Sequence, residues 1–299
     1  MRLIKSINSE LIINLGWRTL MYNDYFVTPQ WLNTHLSDSN IVVLDVSTPP
    51  PTAPYDCYQH YLDEHIPNAQ FFNQDEVADK TIDLPHMLPD EKTFSQAVSL
   101  MGIDNDTQVI IYAQNNLFSS PRAWWTFTTL GCKQVKILAG GITAWKEAGF
   151  ATQSGKVTPP PAQQFIASRQ DANALSQQQM LDIVNQGQAQ IIDARAAARF
   201  LAQAPEPRPG LRMGHIPGSK NVPWDLLVDN GEYRNPEQLA AIFAEHGVDI
   251  HAPSVTTCGS GMTAAVVLMA LVLLGNHNVR LYDGSWAQWG QDNGLPIEP

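Results

Sequence analysis

Cysteine is scarce in this chain, with three residues in 299. Cys57, Cys132 and Cys258 are odd in number and far apart, so they suggest neither a disulfide framework nor a zinc site. Basic residues are also few: 18 Lys and Arg stand against 29 Asp and Glu, a net charge of −11. That balance argues against nucleic acid or an anionic membrane as partner. No apolar run has the length of a membrane span, and the stretch from Leu11 to Trp17 is short and interrupted by Asn14. No clear small-residue cleavage site follows it, which argues against a secretory signal. Residues 1–21 are therefore expected to form a flexible extension. Metal-ligand spacing, a nucleotide-type phosphate loop and a dinucleotide fingerprint are all missing. The cysteine usage fits a reducing compartment, and the expected location is cytoplasmic.

What is present is a repeat. Ile41-Val-Val-Leu-Asp45 and Ala189-Gln-Ile-Ile-Asp193 both read as buried strands ending in aspartate. His65-Ile-Pro67 pairs with His215-Ile-Pro217, Gln108-Val-Ile-Ile-Tyr112 with Ser254-Val-Thr-Thr257, and Trp145 with Trp289. The markers keep one order at offsets of 144 to 150 residues, which signals a duplication. Each copy alternates short β-runs with helical runs. That predicts an α/β fold of two tandem domains, each a mainly parallel sheet with helices on both faces. Working loops should then lie beyond the C-terminal strand ends. The expected boundaries are 22–150 for the first domain, 151–165 for a proline-stiffened linker around Pro159-Pro-Pro161, and 166–299 for the second.

One loop concentrates chemistry. Ser254-Val-Thr-Thr257 leads into Cys258-Gly-Ser-Gly-Met-Thr-Ala264, followed by an apolar run to Leu274. Strand, glycine-rich turn and helix start together make an anion cradle, and a cysteine there should sit partly as thiolate. An ordinary buried cysteine is the competing reading, but burial alone does not call for Gly259 and Gly261. The motif resembles the active-site loop of the rhodanese superfamily. It is closest to the Cys-Gly-(Ser/Thr)-Gly-Val-Thr-Ala form of 3-mercaptopyruvate sulfurtransferases, with Met262 as a small departure. Thiosulfate sulfurtransferases usually carry Arg-Lys after the cysteine, where this chain has Gly259 and Ser260. The resemblance covers about residues 25–298 and implies two rhodanese-like domains with catalysis in the second. The first copy has about Ala113 at the nucleophile position and cannot do thiol chemistry.

Other residues could complete the site. Arg195, Arg199 and Arg208 cluster after one strand in a chain poor in basic residues. Arginine forks suit a carboxylate beside a keto oxygen. The resemblance assigns substrate binding to Arg199 and Arg208 and leaves Arg195 a salt-bridge or packing role. It also matches Asp75, His86 and Ser260 to a proposed Ser-His-Asp relay; their ordinary readings are a helix cap, a loop residue and a loop donor. Gly259, Gly261, Met262 and Thr263 are expected to contact substrate through the loop. His65 and His215 recur in both copies and read as structural.

The implied activity is sulfur transfer from a small-molecule donor, 3-mercaptopyruvate, through a Cys258 persulfide. The acceptor would be a thiol such as thioredoxin, or cyanide, and no cofactor is implied. Thiosulfate:cyanide transfer is the nearest alternative. A cysteine phosphatase would want an arginine closing the loop, and a non-catalytic binding module would not need Cys258 together with Arg199 and Arg208.

Overall fold

Strand alternation builds the two sheets. The computed structural model describes residues 22–51, 55–114, 117–292 and 294–299. The expected extension over residues 1–21 lies outside them. The first copy forms β1 (Phe26–Val27), β2 (Ile41–Asp45), β3 (Gln70–Phe71), β4 (Gln108–Tyr112) and β5 (Val135–Leu138). These pair in parallel in the order β1-β5-β4-β2-β3. The second copy forms β6 (Ala174–Leu175), β7 (Gln190–Asp193), β8 (Lys220–Asn221), a small antiparallel ribbon of β9 (Val228–Asp229) and β10 (Glu232–Tyr233), then β11 (Ser254–Thr257) and β12 (Val279–Tyr282). Its main sheet is parallel in the matching order β6-β12-β11-β7-β8. The duplication and the α/β class expected from sequence are both observed.

Side chains on successive strand residues point to opposite faces. Val109 and Ile111 therefore enter one core while Ile110 and Tyr112 enter another. In the second sheet Ile192 and Leu281 face one way, and Ile191 and Tyr282 the other. The inward faces of both copies share a single continuous core, and each outward face has its own. Among the described residues no helix is long and apolar enough to cross a membrane.

Five helices border the site: α1 (Gln74–Val77), α2 (Ser120–Thr129), α3 (Ala197–Phe200), α4 (Ala264–Leu273) and α5 (Ser285–Trp289). Helix α4, Ala-Ala-Val-Val-Leu-Met-Ala-Leu-Val-Leu, has no polar face, and all ten of its residues are buried. A helix apolar all round must be covered on every side. Here its own sheet lies on one side and α2 of the first copy on another.

The segment between the copies has no regular structure from 154 to 170, yet it is not a free tether. Phe165 is buried against Phe94, and the backbone at 165–168 is hydrogen-bonded to Ser99, Asn105, Ser95 and Leu130. His65 and Gln153 exchange two backbone hydrogen bonds, and His215 and Glu298 do the same in the second copy. Each histidine thus ties its copy's early loop to that copy's last segment.

Candidate active site

Cys258 follows β11 directly and Ala113 follows β4, so the two occupy matching places in the two sheets. The Cys258 carbonyl accepts from Trp286 N at 2.9 Å and the Gly259 carbonyl from Ala287 N at 2.9 Å. The Cys258 N–H donates to Ser285 Oγ at 3.2 Å. Helix α5 therefore anchors the start of the loop. The N–H groups of Gly259 through Ala264 donate to no acceptor among the described residues. Unpaired amides at the head of a ten-residue helix form a site of positive potential.

A cavity of about 370 Å³ opens at this loop, between the copies. Cys258, Gly259, Ser260, Met262 and Thr263 line it together with Arg199 and Arg208, as do Pro50, Pro51 and Phe118 of the first copy, and Phe118 packs edge-on against Trp224 of the second. Cys258 is only 2% exposed, so the cleft is its route to solvent. Gly261 does not line the cavity. Its φ of +78° turns the loop, and a Cβ there would lie 2.6 Å from Arg122 Nη1. Gly259 has a different constraint: a Cβ would lie 2.9 Å from Arg199 Nη2. Glycine is what lets that guanidinium come up to the loop.

Glu206 organises the arginines. Only 3% of its side chain is exposed, and it pairs with Arg195 Nη1 at 2.8 Å and with Arg199 Nη2. Arg195 is fully buried, holds Asp193 at 2.7–3.1 Å and lies over the Trp286 ring at 4.4 Å. Burial acts to lower its pKa, but Asp193 and Glu206 outweigh that and hold it above the ordinary value. Arg195 is thus committed to packing, although part of it reaches the cavity wall. Arg208 has its pKa lowered, chiefly by burial and secondarily by Arg199, while charge at Cys258, Asp75 and Glu206 acts in its favour.

Asp75 and His86 are not among the residues that line this cavity. His86 Nδ1 bonds Asp75 Oδ1. Burial acts to raise the Asp75 carboxyl, but the hydrogen bond and charge from His86, with Lys80 and Arg208, bring it below the ordinary value. The cap of α1 is Asn73, not Asp75. Ser260 makes no hydrogen bond to His86 among the described residues, so of the relay's two links the structure contains the Asp–His one.

Two functional neighbours were not singled out by sequence reasoning. Arg122, on the first turn of α2, is 2% exposed and pairs with Asp283 of the second copy at 2.7 Å. Glu206 is the other. The signals were there: a lone charge within Pro121-Arg-Ala-Trp-Trp125, and an acid among three arginines. Among the described residues no group of three or more His, Cys, Asp or Glu could hold a metal ion.

Residues 28–148 and 176–292 each match the rhodanese-like domain family. The chain is 44% identical to the 3-mercaptopyruvate sulfurtransferase of Escherichia coli (strain K12) over 280 residues, which is 93% of this chain and 99% of that protein. It is 36% identical to the Homo sapiens protein of the same name over 270 residues, covering 88% of this chain and 91% of the other. The crystal structure of SseA from Escherichia coli, described as showing the rhodanese fold of 3-mercaptopyruvate sulfotransferases, superposes with a TM-score of 0.81 at 42% identity. It covers 88% of this chain and 98% of its own.

Proposed function

The chain belongs to the rhodanese-like domain family, and on that premise we propose that it is a sulfurtransferase that takes sulfur from 3-mercaptopyruvate on Cys258. The observation that carries this reading is the placing of Arg199 and Arg208 in the same cavity as Cys258, with Gly259 leaving room for the Arg199 guanidinium. Two planar forks beside a nucleophile suit an α-keto acid, whose carboxylate and keto oxygen lie next to each other.

The bond changes follow from this placement. The Cys258 thiolate attacks the donor sulfur. The donor C–S bond breaks with its electron pair going to carbon, which leaves the enolate of pyruvate and a Cys258 persulfide. The enolate takes up a proton, a step that falls on this reading to Ser260, which lines the cavity, together with the hydrogen-bonded His86–Asp75 pair. The unpaired loop amides stabilise negative charge on the thiolate and on the outer persulfide sulfur. A thiolate acceptor, such as that of reduced thioredoxin, or cyanide then attacks the outer sulfur and Cys258 leaves as thiolate. Every bond made and broken lies between donor, Cys258 and acceptor, so the scheme draws on no cofactor. Three unpaired cysteines suit a reducing, cytoplasmic setting.

The test is intact mass after exposure to 3-mercaptopyruvate, thiosulfate or an aryl phosphate, with wild type and Cys258→Ser side by side. One added sulfur on wild type from 3-mercaptopyruvate, located at Cys258 and missing in the variant, is the expected result. Preferential loading from thiosulfate would overturn the donor assignment and keep the nucleophile. Equal turnover by Cys258→Ser would overturn both.

A further inference from the structure

The Asp75–His86 pair belongs to the first copy, while Ser260 and the nucleophile belong to the second, so something must hold His86 in register with the Cys258 loop. Arg122 is placed to do this. One Nη2 donates to the His86 carbonyl, Nη1 donates to the Gly261 carbonyl at 3.4 Å, and the same guanidinium pairs with Asp283 at 2.7 Å. Asp283 reaches back in turn: its Oδ2 accepts from the Leu88 N–H at 2.8 Å. Leu88 is two residues from His86, and Asp283 stands between β12 and α5, whose first turns anchor Cys258 and Gly259. Both charges are sequestered, at 2% and 7% side-chain exposure, and the Arg122 guanidinium also lies 4.5 Å from the Trp125 ring centroid.

The arrangement is more specific than a strut between domains requires. A strut needs one cation and one anion. Here a planar fork spans three segments at once: the His86 loop, the nucleophile loop and the turn before α5. His86 itself sits at φ +59°, a left-handed conformation that costs a non-glycine residue energy and persists where its surroundings hold it. The bond from Arg122 to its carbonyl and the bond from Asp283 at Leu88 bracket that strained residue. Gly261, at φ +78°, leaves this space open: a Cβ there would lie 2.6 Å from Arg122 Nη1 and 3.1 Å from the Asp283 carbonyl oxygen.

We propose that Arg122, acting with Asp283, is a positioning residue that sets His86 against the Cys258 loop, and so governs the rate at which the donor is cleaved rather than how tightly it is held. This rests on the sulfur-transfer reading above. Donor grip belongs to Arg199 and Arg208, which share no hydrogen bond or ion pair with Arg122 among the described residues.

The experiment is single-turnover loading of Cys258 by 3-mercaptopyruvate in wild type, Arg122→Lys, His86→Gln and the double variant. Lysine keeps the charge for Asp283 but has no planar fork to hold the His86 and Gly261 carbonyls as well. Arg122→Lys is expected to slow the loading rate by at least about tenfold while the donor concentration for half-maximal rate stays within about twofold. In the His86→Gln background the same change should slow loading by less than about threefold, because residues acting as a unit are non-additive. Equal losses in both backgrounds would sink the proposal, as would a weakened donor grip at unchanged rate. If wild type loads normally and His86→Gln has no effect, the proposal fails while the donor assignment survives. If wild type does not load at all, the donor assignment itself fails. Should Arg122→Lys not fold, Asp283→Asn, which keeps an acceptor for Leu88, supports the same comparison with the same criteria.

Discussion

Glu206 is the acid that Arg195 and Arg199 share, and replacing it with glutamine separates the two arginines' roles. Removing one partner of a buried pair costs on the order of 3–5 kcal/mol when the remaining charge is stranded. Two features lower that figure here. Arg195 keeps Asp193 at 2.7–3.1 Å and the Gly214 carbonyl at 2.9 Å, and the Arg199 side chain is 22% exposed, so it reaches water. The glutamine oxygen still accepts one hydrogen bond. A loss of about 2 kcal/mol is therefore expected, read as a lowered urea midpoint at unchanged slope. The functional effect is separate. Glu206 holds Arg199 through both carboxylate oxygens, and a glutamine with one acceptor shared between two arginines leaves the Arg199 guanidinium loosely fixed beside Gly259. A guanidinium grip on a carboxylate is worth at least about 2 kcal/mol, and about 1.4 kcal/mol is tenfold. KM for 3-mercaptopyruvate should rise at least about tenfold in Glu206→Gln, with kcat within about threefold, since that grip is equal in ground and transition states. A destabilised protein with unchanged KM would refute the reasoning, because it would make Glu206 a packing residue alone.

Gly259→Ala should act through Arg199, since a Cβ at 2.9 Å from Nη2 forces the guanidinium aside. A fall of about tenfold in kcat/KM is expected in the wild-type background and little further fall in Arg199→Ala; additive losses in kinetic assays would contradict this. The same crowding affects the Arg-Lys form of the loop. Gly259→Arg with Ser260→Lys should shift the donor ratio toward thiosulfate only if Arg199 is also shortened, which paired kcat/KM measurements would decide. Burial pushes the Cys57 thiol up to about 11 and the Cys132 thiol up to about 12. Both stay protonated at neutral pH, and labelling can begin only as pH rises toward those values. Iodoacetamide at neutral pH should therefore add once, at Cys258, and a second adduct on the folded protein in peptide mapping would contradict that.

The parts that were legible in the sequence are those with a local signature. Strand alternation at Val109–Tyr112, the paired His-Ile-Pro elements and the glycine turn after Cys258 each sit within a few residues, and the repeat doubles each signal. The arginine cluster was legible as a cluster, and the resemblance set Arg199 and Arg208 apart from Arg195. Arg195 lies just before α3 and Arg199 within it, and the partners that hold Arg195, Asp193 and Glu206, are visible only in the fold. His86 came from family resemblance, since a histidine between two prolines carries no period. The link from Arg122 to Asp283 joins positions on different copies, and no spacing announces such a pair. Residues up to 165 read as linker and those from 166 as the second domain, yet backbone groups from 163 to 170 find partners on the first copy that no proline count could suggest.

Helix α4 has a consequence for how the chain is made. It begins about 135 residues after α2 ends, and the two helices share one core. At a synthesis rate of roughly 5–20 residues per second, about 7 to 27 s pass between them. Throughout that interval a newly emerged first copy shows the apolar side of α2 to the cell. The chain's vulnerable moment is thus set by translation speed: slow codons after residue 150 would lengthen the time its stickiest surface waits for a cover.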